Sequence, residues 1–221
     1  MLVLGLDTAT PAVSAALHDG QRVISQACTV DARRHSELLA PMIAKVMADA
    51  GASRGDLTDI AVGVGPGPYT GLRVGLVTAR VLGSVLGLPV HGVCSLDVIA
   101  AAVSGRREFL VATDARRHEV YWARYDAAGR RVDGPHVDRA SSIEGAAELV
   151  VAGAGGQLYP EAFGEVTGPA YPDARTLCAI VAARMGGAAQ SRIQPPLLAA
   201  EPLYLRRPDA REPGPPKRVT P

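Results

Sequence analysis

Met1-Leu2-Val3-Leu4-Gly5-Leu6-Asp7 is a short apolar run closed by an acidic residue, and six residues beyond Asp7 a second run starts, in which Val13, Ala15 and Leu17 alternate with more polar neighbours. Alternation with period two is the mark of a strand with one face buried. Gly20 turns the chain into a third strand candidate at residues 22–30. The same order returns half a chain later. Phe109-Leu110-Val111-Ala112-Thr113 closes on Asp114, an alternating run opens six residues on with Val120, Trp122 and Arg124, and Gly129 turns into residues 131–137. A strand–Asp–turn–strand–turn–strand unit that occurs twice is the trace of an internal repeat.

Helices and strands alternate after each meander. Helical spacing predicts helices at 35–50, 72–86 and 96–103, with strands at 60–64 and 89–93 between them. In the second half, residues 141–150 read as helical, and a short apolar strand leads to the turn Gly153-Ala154-Gly155-Gly156. Such alternation favours two related α/β lobes, at about 1–106 and 107–207, the second with fewer elements. From Pro208 the chain is proline-rich and charged, and 208–221 is expected to be a disordered tail.

The chain has 221 residues, 48% hydrophobic and 20% charged, enough to bury a core without staples. A net charge of +1 announces no polyanionic partner. Basic residues are nearly all Arg, in doublets such as Arg33-Arg34 and Arg116-Arg117, which read as solvated turns ahead of a nucleic-acid surface. Cys28, Cys94 and Cys178 form no C-x-x-C pair, as expected of reduced thiols. No signal-peptide pattern and no stretch of ~18 or more uncharged apolar residues is present, so a cytoplasmic protein without membrane contact is expected.

Gly65-Pro66-Gly67-Pro68-Tyr69-Thr70-Gly71 lies between a strand and a helix, where amides can cradle an anion. It matches neither of the common nucleotide-binding glycine patterns, and its two prolines remove donors. A rigid turn that starts a helix is the competing reading. Ser36, Ser95 and Ser104 lack a G-x-S-x-G context, and the five histidines include no pair at i,i+3 or i,i+4. Neither a nucleophile nor a metal centre is expected, and no catalytic residue is assigned.

Two helices look built for a partner. In the helix at 35–50 Leu38, Met42 and Val46 share a face, while Glu37, Lys45 and Asp49 form one narrow polar line. In the helix at 72–86 the series Gly71, Gly75, Ala79, Gly83 makes a stripe of small side chains, with Arg73 and Arg80 as obvious polar positions. Internal glycines cost roughly 1 kcal/mol each relative to Ala. They ask for compensation, either by tight packing on the protein's own sheet or by close approach of a partner helix. These nine positions are the candidate partner interface.

The segment from Gly65 to Gly75 resembles the signature of the bacterial TsaB (YeaZ) family. Leu4-Gly5-Leu6-Asp7-Thr8-Ala9-Thr10, Arg34-His35-Ser36-Glu37-Leu38-Leu39, Asp114 to Tyr121 and Tyr204-Leu205-Arg206 match it too, in order over nearly the whole chain. The resemblance implies two lobes of the actin and sugar-kinase class. It also implies a role in forming threonylcarbamoyladenosine beside the tRNA anticodon, as a non-catalytic subunit that pairs through first-lobe helices. By the same resemblance the transfer is done by the metal-dependent paralogue TsaD from threonylcarbamoyl-adenylate, an ATPase, TsaE, joins, and tRNA is met only through the complex. The transferase's metal-binding histidine pair, four apart, falls here on His35 and Leu39, and Leu39 is no ligand. Asp7, Thr8 and Thr10 keep the look of a first phosphate loop, whereas the second hairpin has Ala115-Arg116-Arg117 in place of glycines. No cofactor of its own is expected; an ATP or ADP shared with the partner, and a homodimer competing with the heterodimer, stay open. A stand-alone ATPase or small-molecule kinase of the same fold, and a tRNA-binding module using the Arg doublets, are the rival readings.

Overall fold

The computed structural model describes residues 1–103, 107–187 and 195–206. The expected tail at 208–221 and the 106/107 junction lie at least partly outside them. Three strands open the chain, β1 (Val3–Asp7), β2 (Ala12–His18) and β3 (Val23–Val30), followed by α1 (His35–Asp49), β4 (Asp59–Gly63), α2 (Tyr69–Leu86), β5 (Val90–Val93) and α3 (Ser95–Ala101). The second half runs β6 (Phe109–Asp114), β7 (Glu119–Tyr125), β8 (Arg131–Arg139), β9 (Val150–Ala152), α4 (Ala154–Leu158), β10 (Val166–Thr167) and α5 (Ala174–Arg184).

The two sheets have one topology. The first has the order β3-β2-β1-β4-β5 and the second β8-β7-β6-β9-β10, each in chain order a meander followed by two parallel additions. Asp7 ends β1 opposite Ser14, and Asp114 ends β6 opposite Val120. The repeat seen in the sequence is a repeat of structure.

Pleating divides β1 between two layers. Leu4 and Leu6 face α1 and α2 together with Val13, Ala15, Ile60 and Val62. Val3 faces the other side with Ala16, Ala61 and Val93, where Leu177, Cys178 and Val181 of α5 pack. A Cβ at Gly5 would lie 2.9 Å from the Ala174 carbonyl oxygen, so the glycine lets α5 settle directly on β1. The layer covering the first sheet thus comes from residues 174–184, beyond the second sheet in sequence, which a linear division of the chain does not capture. Residues 195–206 return as well: Leu198 exchanges backbone hydrogen bonds with Gly92, and the Leu203 amide donates to the Val64 carbonyl at 2.8 Å.

The second sheet is less thickly clothed. Ala140, Ile143, Ala146 and Phe163 cover Leu110, Ala112 and Trp122 from short turns. The helix expected at 141–150 is absent. Gly145 sits in the left-handed region at φ 69°, and 3₁₀ turns flank it before β9 begins at Val150. Of the three cysteines Cys94 and Cys178 are buried, while Cys28 is exposed on the edge strand.

α3 belongs to both lobes. Its Leu96, Ile99 and Ala100 pack on Phe109, Val111 and Tyr125 of the second sheet. The fully buried Tyr125 donates its hydroxyl to Asp97 Oδ1 at 2.8 Å, and Arg131 Nε lies 3.5 Å from the same oxygen. Burial raises the Asp97 carboxyl above the usual range, against the pull of Arg131 and of the Tyr125 hydroxyl. Tyr125→Phe removes one of these two partners from a buried carboxylate, and a loss of about 1–3 kcal/mol in urea-unfolding free energy is expected.

Candidate functional site

The β1–β2 loop is the centre of the first lobe. Asp7 is fully buried, and its carboxylate accepts from the Ala9 amide and the Ser95 hydroxyl, both at 2.8 Å. Burial pushes this carboxyl up to about 6, against the lowering effect of those two donors and of nearby His35. Glycine at 63 is required here, because a Cβ would run into the Asp7 carboxylate and the Ser95 hydroxyl. A carboxylate enclosed in this way holds a loop and a strand together.

Thr8 explains the glycine stripe. Its hydroxyl donates to the Gly71 carbonyl at 2.8 Å and accepts from the Gly75 amide at 2.9 Å, the pair that an uninterrupted helical ladder joins directly. A Cβ at Gly75 would stand 2.6 Å from that hydroxyl oxygen, and one at Gly71 would stand 2.9 Å from the Thr8 carbonyl oxygen. Gly67 likewise abuts the Ala9 backbone, so the glycine loop of 65–71 cradles the β1–β2 loop of its own chain. Thr10 completes the set, its carbonyl accepting from His35 Nε2 at 2.8 Å.

The nine candidate interface positions divide sharply. Met42 and Val46 are buried and Leu38 is half-buried. Gly71, Gly75, Ala79 and Gly83 all face inward; Gly83 lies against Val90 and the Leu88 carbonyl. The small-residue stripe is therefore packed on the protein's own loop and sheet and is unavailable to a partner, because it is the route by which Thr8 reaches α2. Arg73 and Arg80 are exposed as expected.

The outward face of α2 carries a different row. Val77, Val81 and Val85 are 57%, 54% and 75% exposed, one turn apart. Beside α2, α1 turns Ala40, Pro41, Ala44 and Ala48 outward, with Lys45 and Asp49 paired at 2.6 Å. The valine spacing was visible in the sequence, but which stripe faces the sheet was not. A β-branched row this exposed on one helix, beside small outward residues on its neighbour, is an unusual surface for a monomer.

Among the described residues no serine has an imidazole partner placed to activate it. Ser95 is buried and donates straight to a carboxylate, with no imidazole between. Ser104 lies outside the described residues. Leu39 is 1% exposed in the core, and among the described residues no group of three or more His, Cys, Asp and Glu is placed to hold a metal. No described helix is long and apolar enough to cross a membrane.

The chain is similar to known proteins over most of its length. A family model described as TsaD, tRNA N6-adenosine threonylcarbamoyltransferase, matches residues 23–162. An uncharacterized protein of Mycobacterium tuberculosis is 45% identical over 212 residues, covering 95% of this chain and 93% of its own. The Escherichia coli tRNA threonylcarbamoyladenosine biosynthesis protein TsaB is 33% identical over 224 residues, covering 93% of this chain and 95% of its own. The chain belongs to the TsaB (YeaZ) family. The YeaZ structure from Pseudomonas aeruginosa superposes with a TM-score of 0.73 at 29% identity, over 92% of this chain and 99% of that one. A second Pseudomonas aeruginosa structure, named for similarity to peptidase YEAZ, gives 0.77 at 28% identity, over 93% and 99%. This TsaB-family chain thus has the YeaZ fold, an α/β architecture with two mixed sheets of one topology, the second less thickly covered.

Two outcomes test this reading of the loop. Because the folded Asp7 carboxyl is raised above its unfolded value, the folded state holds a proton that the unfolded state releases from about pH 4 to 6. Its contribution therefore favours folding at low pH and is lost as pH rises through about 6, by roughly 3 kcal/mol in all. Urea midpoints of wild type and Asp7→Asn should thus shift relative to each other in favour of the variant between pH 4 and 7. Gly75→Val should lower the thermal midpoint of the isolated chain, by an overpacking cost of about 1–3 kcal/mol; an unchanged midpoint contradicts the role assigned to Thr8.

Proposed function

We propose that this chain is the partner subunit in threonylcarbamoyladenosine formation on tRNA, docking onto a TsaD-type transferase through the outer face of α1 and α2 and doing no transfer itself. The observation that carries the reading is the exposed row Val77, Val81, Val85 beside the small outward residues of α1, in a member of the TsaB family. Apolar side chains at i, i+4 and i+8 suit a helix-on-helix contact, and the alanines of α1 allow close approach. Arg73 and Arg80 would sit at its rim.

The closed β1–β2 loop supports the absence of catalysis. Asp7 is enclosed and Thr8 is spent on α2, so neither is presented to a nucleotide. The subunit then acts by binding energy, favouring the competent conformation of the transferase. A TsaE-type ATPase would join this assembly, an ATP or ADP would be met only where the subunits share it, and tRNA would be met only through the complex. A homodimer would use the same valine face and compete with the transferase for it.

Val81→Arg should leave the thermal midpoint within about 2 °C, as an exposed substitution does, yet weaken association with the transferase about 30-fold or more by bringing an unpaired charge into an apolar contact. Threonylcarbamoyl transfer to tRNA, assayed with TsaD, TsaE and the donor-forming enzyme, should require the wild-type chain and fail with the variant. Transfer indifferent to the chain, together with ATP turnover by the chain alone, would replace this reading with the stand-alone ATPase.

A further inference from the structure

Arg73, one turn into α2, is held in place without an acid of its own. Its guanidinium carbon lies 3.8 Å over the Tyr69 ring, and its Nε donates to the Tyr204 hydroxyl at 2.9 Å. The two tyrosine rings stack with their centres 4.5 Å apart. Tyr204 is brought there by the returning segment 195–206. On one side of it the Leu203 amide is bonded to the Val64 carbonyl, and on the other Arg206 pairs with Glu119. Arg73 is exposed and both tyrosines are 37% exposed, so the cluster lies at the surface.

Several exposed arginines of this chain are steadied by a carboxylate instead. Arg34 has Asp31, Arg107 has Glu165, Arg130 has Asp126 and Arg175 has Asp173, each within 2.9 Å. Arg73 makes no ion pair among the described residues, and neither does Arg80. α2 itself carries no acidic residue. The two Nη groups of Arg73 make no hydrogen bond among the described residues. A guanidinium whose ring contact and Nε bond are already formed has lost much of its freedom, so an acid that meets it costs little further ordering entropy.

The cluster continues the exposed row of α2. Tyr69, Arg73, Val77, Val81 and Val85 follow one another at intervals of four. Arg80 stands two turns beyond Arg73 on the same line of the helix, roughly 10 Å along its axis. Four residues overshoot a helical turn by about 40°. The valines therefore bear away from the arginine line, leaving a basic edge beside an apolar strip. Tyrosine and arginine next to an apolar centre are the side chains in which binding energy concentrates at protein interfaces. A run of RNA phosphates calls for several cations. Here two stand among apolar and aromatic side chains, in a chain of net charge +1.

We propose, resting on the docking face assigned to α1 and α2, that the TsaD-type transferase brings a carboxylate to Arg73 and a second one to Arg80. Both come from the acidic edge of a helix laid along the valine row. A planar carboxylate accepts the two Nη–H donors of one guanidinium side by side, and those are the donors that Arg73 has left. Tyr69 and Tyr204 are the cradle that presents it. The segment 195–206 thereby becomes part of the docking surface, since it supplies the hydroxyl that fixes Nε.

The test is calorimetric titration of the full chain with the transferase at low and at high salt. Wild-type affinity should fall as salt rises. Arg73→Gln should bind about tenfold more weakly at low salt and lose much of that salt dependence. Arg73→Lys should recover only part of the loss, because it keeps the charge without the fork. Tyr204→Phe, which keeps the ring and removes the hydroxyl, should cost about threefold. The control Arg130→Gln removes the same charge from the β7–β8 turn of the second lobe and should bind as wild type. The substituted side chains are exposed, and circular dichroism should report native folds. Arg73→Gln with wild-type affinity and salt dependence would overturn the carboxylate contact, and loss of binding in Val81→Arg would then still uphold the docking face. Weakening in Arg73→Gln beside full binding in Val81→Arg would uphold the carboxylate contact and remove the valine row from the interface. Binding of tRNA by the chain alone that is lost in Arg73→Gln would assign the arginine to phosphate and overturn the proposal.

Discussion

A single hydroxyl organises the first lobe. Thr8 Oγ1 is held between the Gly71 carbonyl and the Gly75 amide, which ties the end of β1 to the first turns of α2. Much else follows from that insertion. Residues 71 and 75 must be glycine to admit the loop, Gly67 must be glycine to pass the Ala9 backbone, and the inner face of α2 is fixed toward the sheet. Asp7 then anchors the same loop from below through Ser95, at the start of α3.

The consequence for function is a trade. The loop after β1 lines a cavity together with the β6–β7 turn through Thr8, Thr10 and Arg116. Here its acidic residue is enclosed and its first threonine is consumed by packing. The cavity is not stripped of polarity, however. It keeps a cationic lining from Arg33 and Arg116, on the side where α1 and α2 begin.

The lobes are joined by more than their covalent link. α3 packs on both sheets, Tyr125 and Arg131 converge on Asp97, and α5 returns to cover β1 and β2. At the far edge, Tyr204 stacks on Tyr69 while Arg206 pairs with Glu119 and donates to the Ala115 carbonyl at 3.0 Å. The last described residues thus connect the start of α2 to the hairpin that carries Arg116. The outward valines of α2 and the interlobe cavity therefore lie on one rigid helix, at its face and at its N-terminus.

Sequence alone determined the repeated meander, the alternation of strands and helices, the family, and the importance of the segment from Gly65 to Gly83. Local periodicity carries that information, because pleat and helical repeat are written residue by residue. It did not determine which side of α2 is the surface. The stripes Gly75–Ala79–Gly83 and Val77–Val81–Val85 are offset by two residues, about 200° around the helix, and spacing gives their separation but no absolute phase. Hydrophobicity favoured burying the valines, and only the insertion of Thr8 reverses the choice. The same holds for α5 on the first sheet and for Arg33 and Arg116, which line one cavity from distant parts of the chain. Those placements come from long-range packing, and tertiary structure alone decided them.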